Sequence, residues 1–390
     1  MLKITLLLIS AMTVMSGALV APSLPYMAEA FANEPGIELK TKLVLTLPGL
    51  FIALGAPLAG SLLDRFSKKK LIIASLLVFA IAGSAGLILS NLNAILVSRA
   101  LLGLSVAISM TGVTALVGDY FEGEERSRFI GVQGAVMSFG GTVLVALAGW
   151  LAGLSWRYPF GVYGAGFLVA LAVMIVIHEP PVADRTAGPV ASSNSWRRVS
   201  RTQWIVLATV CAGMIMFYVI PAQSPFLLKQ AGADSSLTTS LGLIVATLTS
   251  ALAAFFYGKL KQRATFNQLY ALCFLLFAIG YVSVYWLTSP GAMIAALAVS
   301  GLGAGLLIPN TTLCLLAQTD ATNRGSTMGR NTSAIFLGQF LSPLAFQPLL
   351  ANASLPTAFL ESGLLALLIA LVYGWGAVHH QRNSEKVLSR

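Results

Sequence analysis

GSLLDRFSKKK, residues 60–70, sets one acid and four cations within seven residues, Asp64 to Lys70. The stretches on either side, 43–63 and 71–91, carry no charge at all. A bilayer core about 30 Å thick takes about 20 apolar residues of helix to cross, and both flanks have that length. The cluster therefore reads as a tight connector between two membrane-crossing helices, kept outside the hydrocarbon by its charge.

The same ruler, carried outward along the chain, gives twelve candidate spans. They run roughly 4–26, 43–63, 71–91, 94–118, 129–152 and 157–177, then 203–227, 237–257, 267–287, 291–317, 330–351 and 357–378. All are predicted helical, because lipid offers no partner to a free backbone group. Composition agrees: 57% of the 390 residues are hydrophobic, 10% are charged and the mean hydropathy is +0.82. Soluble domains carry about a quarter charged residues, and a soluble chain of this make-up would expose very large apolar patches. The expected fold class is an all-α membrane protein. The apolar N-terminal run is read as a retained first span rather than a cleaved leader, since it is long and many more such runs follow.

The net charge of +10 does not point to nucleic acid, because the cations sit in short connectors between apolar runs. Nineteen Lys and Arg fall on the side of the two termini, against four on the other side, Lys40, Lys42, Arg157 and Lys229. That asymmetry predicts cytoplasmic termini and a multi-pass protein of the cell membrane. Arg99 alone lies inside a span. Two connectors are long. Residues 27–42 carry Glu29, Glu34, Glu38, Lys40 and Lys42, and residues 178–202, rich in Pro, Ser, Ala and Arg, read as a solvated linker. The expected organisation is a six-helix bundle at 1–177, the linker, and a second bundle with a short tail at 203–390.

A shift of 198 residues lays the second half over the first. Gly60 falls on Gly258, Leu62 on Leu260, Arg65 on Arg263, Gly103 on Gly301, Arg126 on Arg324, Gly131 on Gly329 and Gly140 on Gly338. Glycines and arginines matching at one gapless shift indicate an internal repeat, and two parallel repeats about an axis along the membrane normal place a substrate path between them.

Residues 60–70 resemble the signature loop of the major facilitator superfamily, G-x-L-x-D-R-x-x-[KR]-[KR], through Gly60, Leu62, Asp64, Arg65, Lys68 and Lys69. RALLG (99–103) is similar to the family's fourth-helix motif, with Leu102 in place of the usual Gln, and SWRYPF (155–160) resembles the opening of its sixth helix. The resemblance covers the whole chain. It implies twelve helices in two pseudo-symmetric bundles that rock about a central site. It also implies a conformational latch: Gly60 allows close approach, and Asp64 faces the N-terminus of the eleventh helix near Gly329, where the helix dipole favours an acid. Arg65 and Arg126 or Arg128 would pair with Asp64 and with Asp119. Lys68–Lys70 are read as orientation anchors. The family's antiporter motif on the fifth helix is mostly eroded, with Leu144 and Val145 where Gly-Pro would stand.

An ionisable group within a span is a functional candidate. Arg99 either snorkels outward or, as the resemblance implies, lines the cavity and acts on an acid or an anionic substrate group. Glu29 is a possible partner for it, and Glu361 is a second acidic candidate. The remaining polar groups on the path helices are neutral: Ser16, Ser23, Ser105, Ser109, Thr111, Thr114, Gln223, Asn310, Thr311 and Thr312, with Gln133, Asn331 and Gln339 on the fifth and eleventh helices. Gln223 and Asn310 join the substrate candidates, and each of these groups has interhelical bonding as its other reading. Met12, Met15, Met110, Met137, Met214 and Met216 with Phe139, Phe217 and Tyr218 form either an adaptable apolar cavity or plain packing.

Cys211, Cys273 and Cys314 lie far apart in apolar runs, the three His residues are marginal, and neither metal spacing nor a phosphate-binding Gly-rich loop occurs. No catalytic residue, metal or cofactor is expected, and the chain is not read as an enzyme. The expected function is secondary active transport, with protons as energy source and a small organic or amphipathic compound as cargo moving outward. The alternative is a proton symporter or uniporter that imports a metabolite. Expected partners are the substrate, protons and lipid, without nucleic acid, and the expected state is a monomer.

Overall fold

The computed structural model describes residues 1–178, 199–320, 323–350 and 353–388, and the side chains of Asp64, Ser127, Ser138 and residues 380–388 fall outside that description. Among the described residues there is no strand, and twelve helices are long and apolar enough to cross a membrane. They are α1 (Leu2–Ala30), α2 (Ile37–Leu63), α3 (Lys68–Leu87), α4 (Leu92–Tyr120), α5 (Gly123–Leu154) and α6 (Tyr158–Val176), then α7 (Arg201–Gln230), α8 (Ser236–Lys261), α9 (Phe266–Trp286), α10 (Pro290–Ala317), α11 (Arg324–Leu350) and α12 (Leu355–His379).

Polar caps mark where these helices start. Ser67 accepts from the Lys70 amide before α3, and Asn91 from the Asn93 and Ala94 amides before α4. Ser200 with Gln203, and Thr265 with Gln268, form capping boxes at α7 and α9. Each cap satisfies amides that the first turn leaves without intrahelical partners. Gly232, at φ 91°, ends α7 in a left-handed conformation that glycine adopts without strain. The connector expected at 27–42 is shorter than the charge pattern suggests. Leu24–Ala30 is helical and α2 begins at Ile37, so Lys42 sits more than a turn inside α2. Residues 179–198 of the expected linker lie outside the described residues.

Successive spans reverse direction, so the first residues of α1, α3, α5, α7, α9 and α11 share one end with most of the cations. This is the basic end.

The sequence repeat reappears as a repeated contact. A Cβ on Gly103 of α4 would lie 2.5 Å from the Pro48 carbonyl oxygen of α2, and a Cβ on Gly301 of α10 would lie 2.3 Å from the Ala246 carbonyl oxygen of α8. Pro48 and Ala246 are themselves related by the 198-residue shift. Only a residue without a side chain lets these backbones touch, the device by which membrane helices pack in lipid.

The first six helices meet the last six chiefly through α2 on α11 and α5 on α8. A Cβ on Gly49 of α2 would come 2.9 Å from the Phe336 carbonyl oxygen of α11, and the Ser333 hydroxyl donates to the Ala53 carbonyl at 3.1 Å. On the other seam, a Cβ on Gly149 of α5 would lie 2.4 Å from Ser240 Oγ of α8. These contacts lie at mid-helix or toward the end opposite the basic one. At the basic end a Cβ on Gly60, Gly131, Gly134, Gly258, Gly325 or Gly329 would meet nothing within 4 Å. The halves are thus joined at one end and open at the basic end.

Candidate functional site

The roof of the opening is where α1, α2, α7 and α11 converge. A Cβ on Gly17 of α1 would lie 2.7 Å from the Tyr218 hydroxyl of α7 and 3.5 Å from Gln339 Nε2 of α11, and one on Gly49 would lie 3.2 Å from Gln339 Cδ. Gln339 is 1% exposed and its Nε2 has no hydrogen-bond partner among the described residues. About two turns toward the basic end on α11, Asn331 is also buried, and its Oδ1 has no partner among the described residues. A buried amide group left unpaired costs about 1–3 kcal/mol, so these two amides are unfulfilled hydrogen-bonding capacity at the seam. Phe139 on α5 is exposed, and Met110, Met137, Phe217 and Tyr218 are partly so. Met12, Met15, Met214 and Met216 are buried in the core, which gives those four the packing reading.

Most of the hydroxyls on the path helices are spent on their own helices. Ser16 donates to the Thr13 carbonyl (2.8 Å), Ser105 to Leu102 (2.7 Å), Thr111 to Ala107 (2.8 Å) and Thr114 to Met110 (2.9 Å). Ser109 also bonds Ser75 of α3 at 2.8 Å, and Gln133 of α5 donates to Ser10 of α1 at 2.7 Å.

Arg99 is not on the path. It is wholly buried between α3, α4 and α6, where Nη2 donates to the carbonyls of Ala82 (3.3 Å) and Gly83 (2.6 Å). Its guanidinium lies 4.8 Å from the Phe160 ring centroid and 5.0 Å from that of Tyr163. Snorkelling is ruled out by this burial, and the cavity reading fails because the group turns inward, into the first half. Two short-range causes act: bare helix-end carbonyls of α3 attract it, and two aromatic faces stabilise the cation. Its expected partner Glu29 is instead bound by Lys229 of α7 at 2.5 Å, a pair that ties the halves together at the end opposite the basic one.

Asn310 is also off the path. It accepts from the Tyr257 hydroxyl and donates to the Phe266 carbonyl, each at 3.1 Å, tying α10 to α8 and α9. Glu361 is partly exposed on α12, which packs on α9 through Gly363 against Tyr281 and Val282, away from the seam. Gln223 of α7 is 1% exposed, both of its amide atoms lack partners among the described residues, and it lines a cavity of about 640 Å³ at the end opposite the basic one.

The backbone positions of the expected latch are not in contact with one another. Gly60 and Gly329 face open space and Arg65 is exposed. The side chain of Asp64 lies outside the described residues. Asp119 pairs with Lys68, not with Arg126, whose Nη2 instead lies 3.6 Å from where a Gly118 Cβ would be. Lys68 is therefore more than an orientation anchor: it is buried and links α3 to α4. Lys69 donates to the Met174 carbonyl of α6 at 2.8 Å.

Sequence reasoning passed over Lys42, Gly17 and Gly49. Lys42 reads in sequence as a connector charge because acids and lysines surround it; the signal that distinguishes it is its place four residues after Glu38, at the spacing of one helical turn. Nothing in sequence separates Gly17 and Gly49 from the other glycines. Among the described residues no His, Cys, Asp and Glu cluster fit to hold a metal occurs.

Comparisons with known proteins agree with this architecture. Over 358 residues the chain is 22% identical to the bacillibactin exporter of Bacillus subtilis, covering 87% of both chains. Over 126 residues it is 29% identical to the quinolone resistance protein NorA of Staphylococcus aureus, a match that spans 32% of this chain and 32% of that protein. A bacterial homologue of the human lysosomal transporter Spinster, in an inward-facing and occupied conformation, superposes with a TM-score of 0.77 at 16% identity, covering 97% of this chain and 96% of that one. The family model of the Major Facilitator Superfamily matches residues 6–263 and 205–388, so that together the two segments take in all twelve spans. With its doubled six-helix plan, its paired seams and this match, the chain is a multi-pass transporter that belongs to the major facilitator superfamily.

Proposed function

We propose that this protein is a secondary active exporter of small organic or amphipathic compounds, coupled to protons and working by alternating access. The observation that carries the reading is the near full-length relation to the bacillibactin exporter, seconded by the shorter match to the quinolone resistance protein. The geometry supports it in two ways. The open basic end, placed in the cytoplasm by its cations, offers a path that takes up cargo from inside. Tyr218 stands at the roof, where Gln339 and Asn331 carry unused amide capacity, and such a mix of aromatic and amide groups suits compounds with an apolar body and a few polar atoms. The protein acts as a monomer in the cell membrane, without a cofactor.

In this reading the Glu29–Lys229 pair and the Gly149–Ser240 contact hold the outer side shut. Closure of the basic end brings α2 toward α11, and Asp64 and Arg65 toward Gly329, as the latch. The test is accumulation of a fluorescent lipophilic dye in a host stripped of its own exporters, with and without this chain, before and after an uncoupler. Lower accumulation that the uncoupler abolishes supports export; higher uncoupler-sensitive accumulation overturns it and makes the protein an importer. Purified protein in proteoliposomes with an imposed pH gradient then reads coupling directly.

A further inference from the structure

The cavity of about 640 Å³ opens between the halves at the end opposite the basic one. It is distinct from the basic-end opening, because the Gly17–Tyr218 and Gly49–Gln339 contacts lie between them along α1, α2, α7 and α11. Its wall takes Lys42 from α2, Gln223, Phe226 and Lys229 from α7, and apolar surface from Leu350 and Leu355.

The two cations in this wall differ. Lys229 is neutralised by Glu29 at 2.5 Å. Lys42 is 4% exposed and forms no ion pair within 4.0 Å among the described residues. Its ammonium lies 5.6 Å from the Phe226 ring centroid, and the acid acting on it is Glu38, one turn earlier and exposed to solvent. Gln223 precedes Phe226 by three residues on α7, so it shares the face on which the Lys42 ammonium sits. It is 1% exposed and both of its amide atoms lack partners among the described residues. A buried ammonium without an ion-pair partner within 4.0 Å, lining the same cavity as an amide with unused donors, is a built anion site to which each half supplies one member.

We propose that this vestibule binds an organic carboxylate, with the Lys42 ammonium taking its charge, the Gln223 amide donating a second hydrogen bond, and Phe226, Leu350 and Leu355 covering its apolar body. Glu38, which also lines the cavity and is not neutralised by Lys229, disfavours a dianion, so a monocarboxylate is preferred over inorganic phosphate. Bound there, the carboxylate bridges α2 and α7 and holds the halves together at this end. It thereby favours the conformation open at the basic end. The site does not depend on the direction of transport, and its test does not require transport.

The experiment is a fluorine NMR titration of the full chain in nanodiscs with para-fluorobenzoate, against para-fluorobenzamide as its neutral match and inorganic phosphate as competitor. The expected result is a carboxylate affinity about tenfold or more above that of the amide, no competition by equimolar phosphate, and loss of the preference in Lys42→Gln and in Gln223→Leu. Lys42→Arg keeps the charge and retains carboxylate binding within about threefold, which separates loss of the site from loss of the fold. Equal binding of carboxylate and amide by the unmodified chain overturns the proposal, as does undiminished carboxylate binding by Lys42→Gln, or displacement of the probe by phosphate. Either of the first two would leave Lys42 as a cation that merely covers the Phe226 ring, and the third would make the vestibule a general anion site rather than a carboxylate site.

Discussion

Substituting Gly149 by Ala should tip the balance between conformations. The new methyl would lie 2.4 Å from Ser240 Oγ and 2.9 Å from Ser240 Cβ. Unstrained heavy-atom contacts lie near about 3.5 Å, so α5 and α8 must part by about an ångström or Ser240 must turn. Turning costs the bond from its hydroxyl to the Ser236 carbonyl, now 2.6 Å. Overpacking of this kind costs about 1–3 kcal/mol. The contact joins the two halves, so the penalty falls on the conformation closed at this end and on no other. At about 2 kcal/mol the ratio of closed to open molecules falls about 30-fold. Spin labels at Leu154→Cys and Leu237→Cys, in a chain freed of its native cysteines, read the separation of α5 and α8 by double electron–electron resonance. Gly149→Ala should move the distribution to longer distances. Gly134→Ala, on the same helix but facing open space, should leave it unchanged, and Ser240→Gly added to Gly149→Ala should restore the short distance. An unshifted distribution in Gly149→Ala would refute the reasoning, and so would a shift that Ser240→Gly does not reverse.

Gly103→Ala and Gly301→Ala meet backbone carbonyls at 2.5 and 2.3 Å, which cannot turn away; each should lower stability by about 2–3 kcal/mol, seen as a lower melting temperature in detergent, while Gly291→Ala in open space stays near neutral. Arg99→Ala removes the guanidinium from between Phe160 and Tyr163; a cavity of that kind costs about 3 kcal/mol, so the folded yield should fall below that of Lys69→Ala or Lys70→Ala in size-exclusion profiles. Asp119→Asn weakens the bond to Lys68, and because Asp119 is partly solvated the loss should be about 1 kcal/mol, a shift of a few degrees in the same melting assay. Asp64→Asn should reach the membrane in normal amount yet transport more slowly, and a wild-type rate in a well-expressed variant would sink the latch.

The spans were legible because lipid imposes a single rule on every one of them: about 20 apolar residues, with charges and caps at the margins. Ser67, Asn91, Ser200, Ser235, Thr265 and Ser289 all stand at helix starts where polarity resumes. The repeat was legible for a related reason, since Gly103 and Gly301 are fixed by the same backbone crossing in each half. The site was less so. Charge alone drew attention to Arg99 and Glu361, but a sequence gives depth in the membrane and not the azimuth of a side chain about its helix. Arg99 turns toward the carbonyls of Ala82 and Gly83, and that choice is made by α3 and α6 rather than by α4. Lys42 shows the converse. Its acidic and basic neighbours obscure where α2 begins in the sequence, and only the tertiary fold brings it over Phe226 of α7 as a buried cation.

The state of the two gates belongs to neither kind of information. Gly60, Gly329 and Gly149 are equally bare in sequence, yet Gly149 is in contact and the other two face open space. The alternating access proposed above requires seams that can be made and unmade at small net cost, so on that reading residues on both gates must pack well enough to close and weakly enough to part. Glycine meets that condition at either end, which is why composition cannot tell a closed gate from an open one. The distinction lies in partners contributed by the opposite half, such as Ser240 for Gly149. The same condition suits the polar contacts between the halves: Lys229 meets Glu29 and the Tyr26 ring, and Ser333 donates to the Ala53 carbonyl, small contacts that define a state without trapping it.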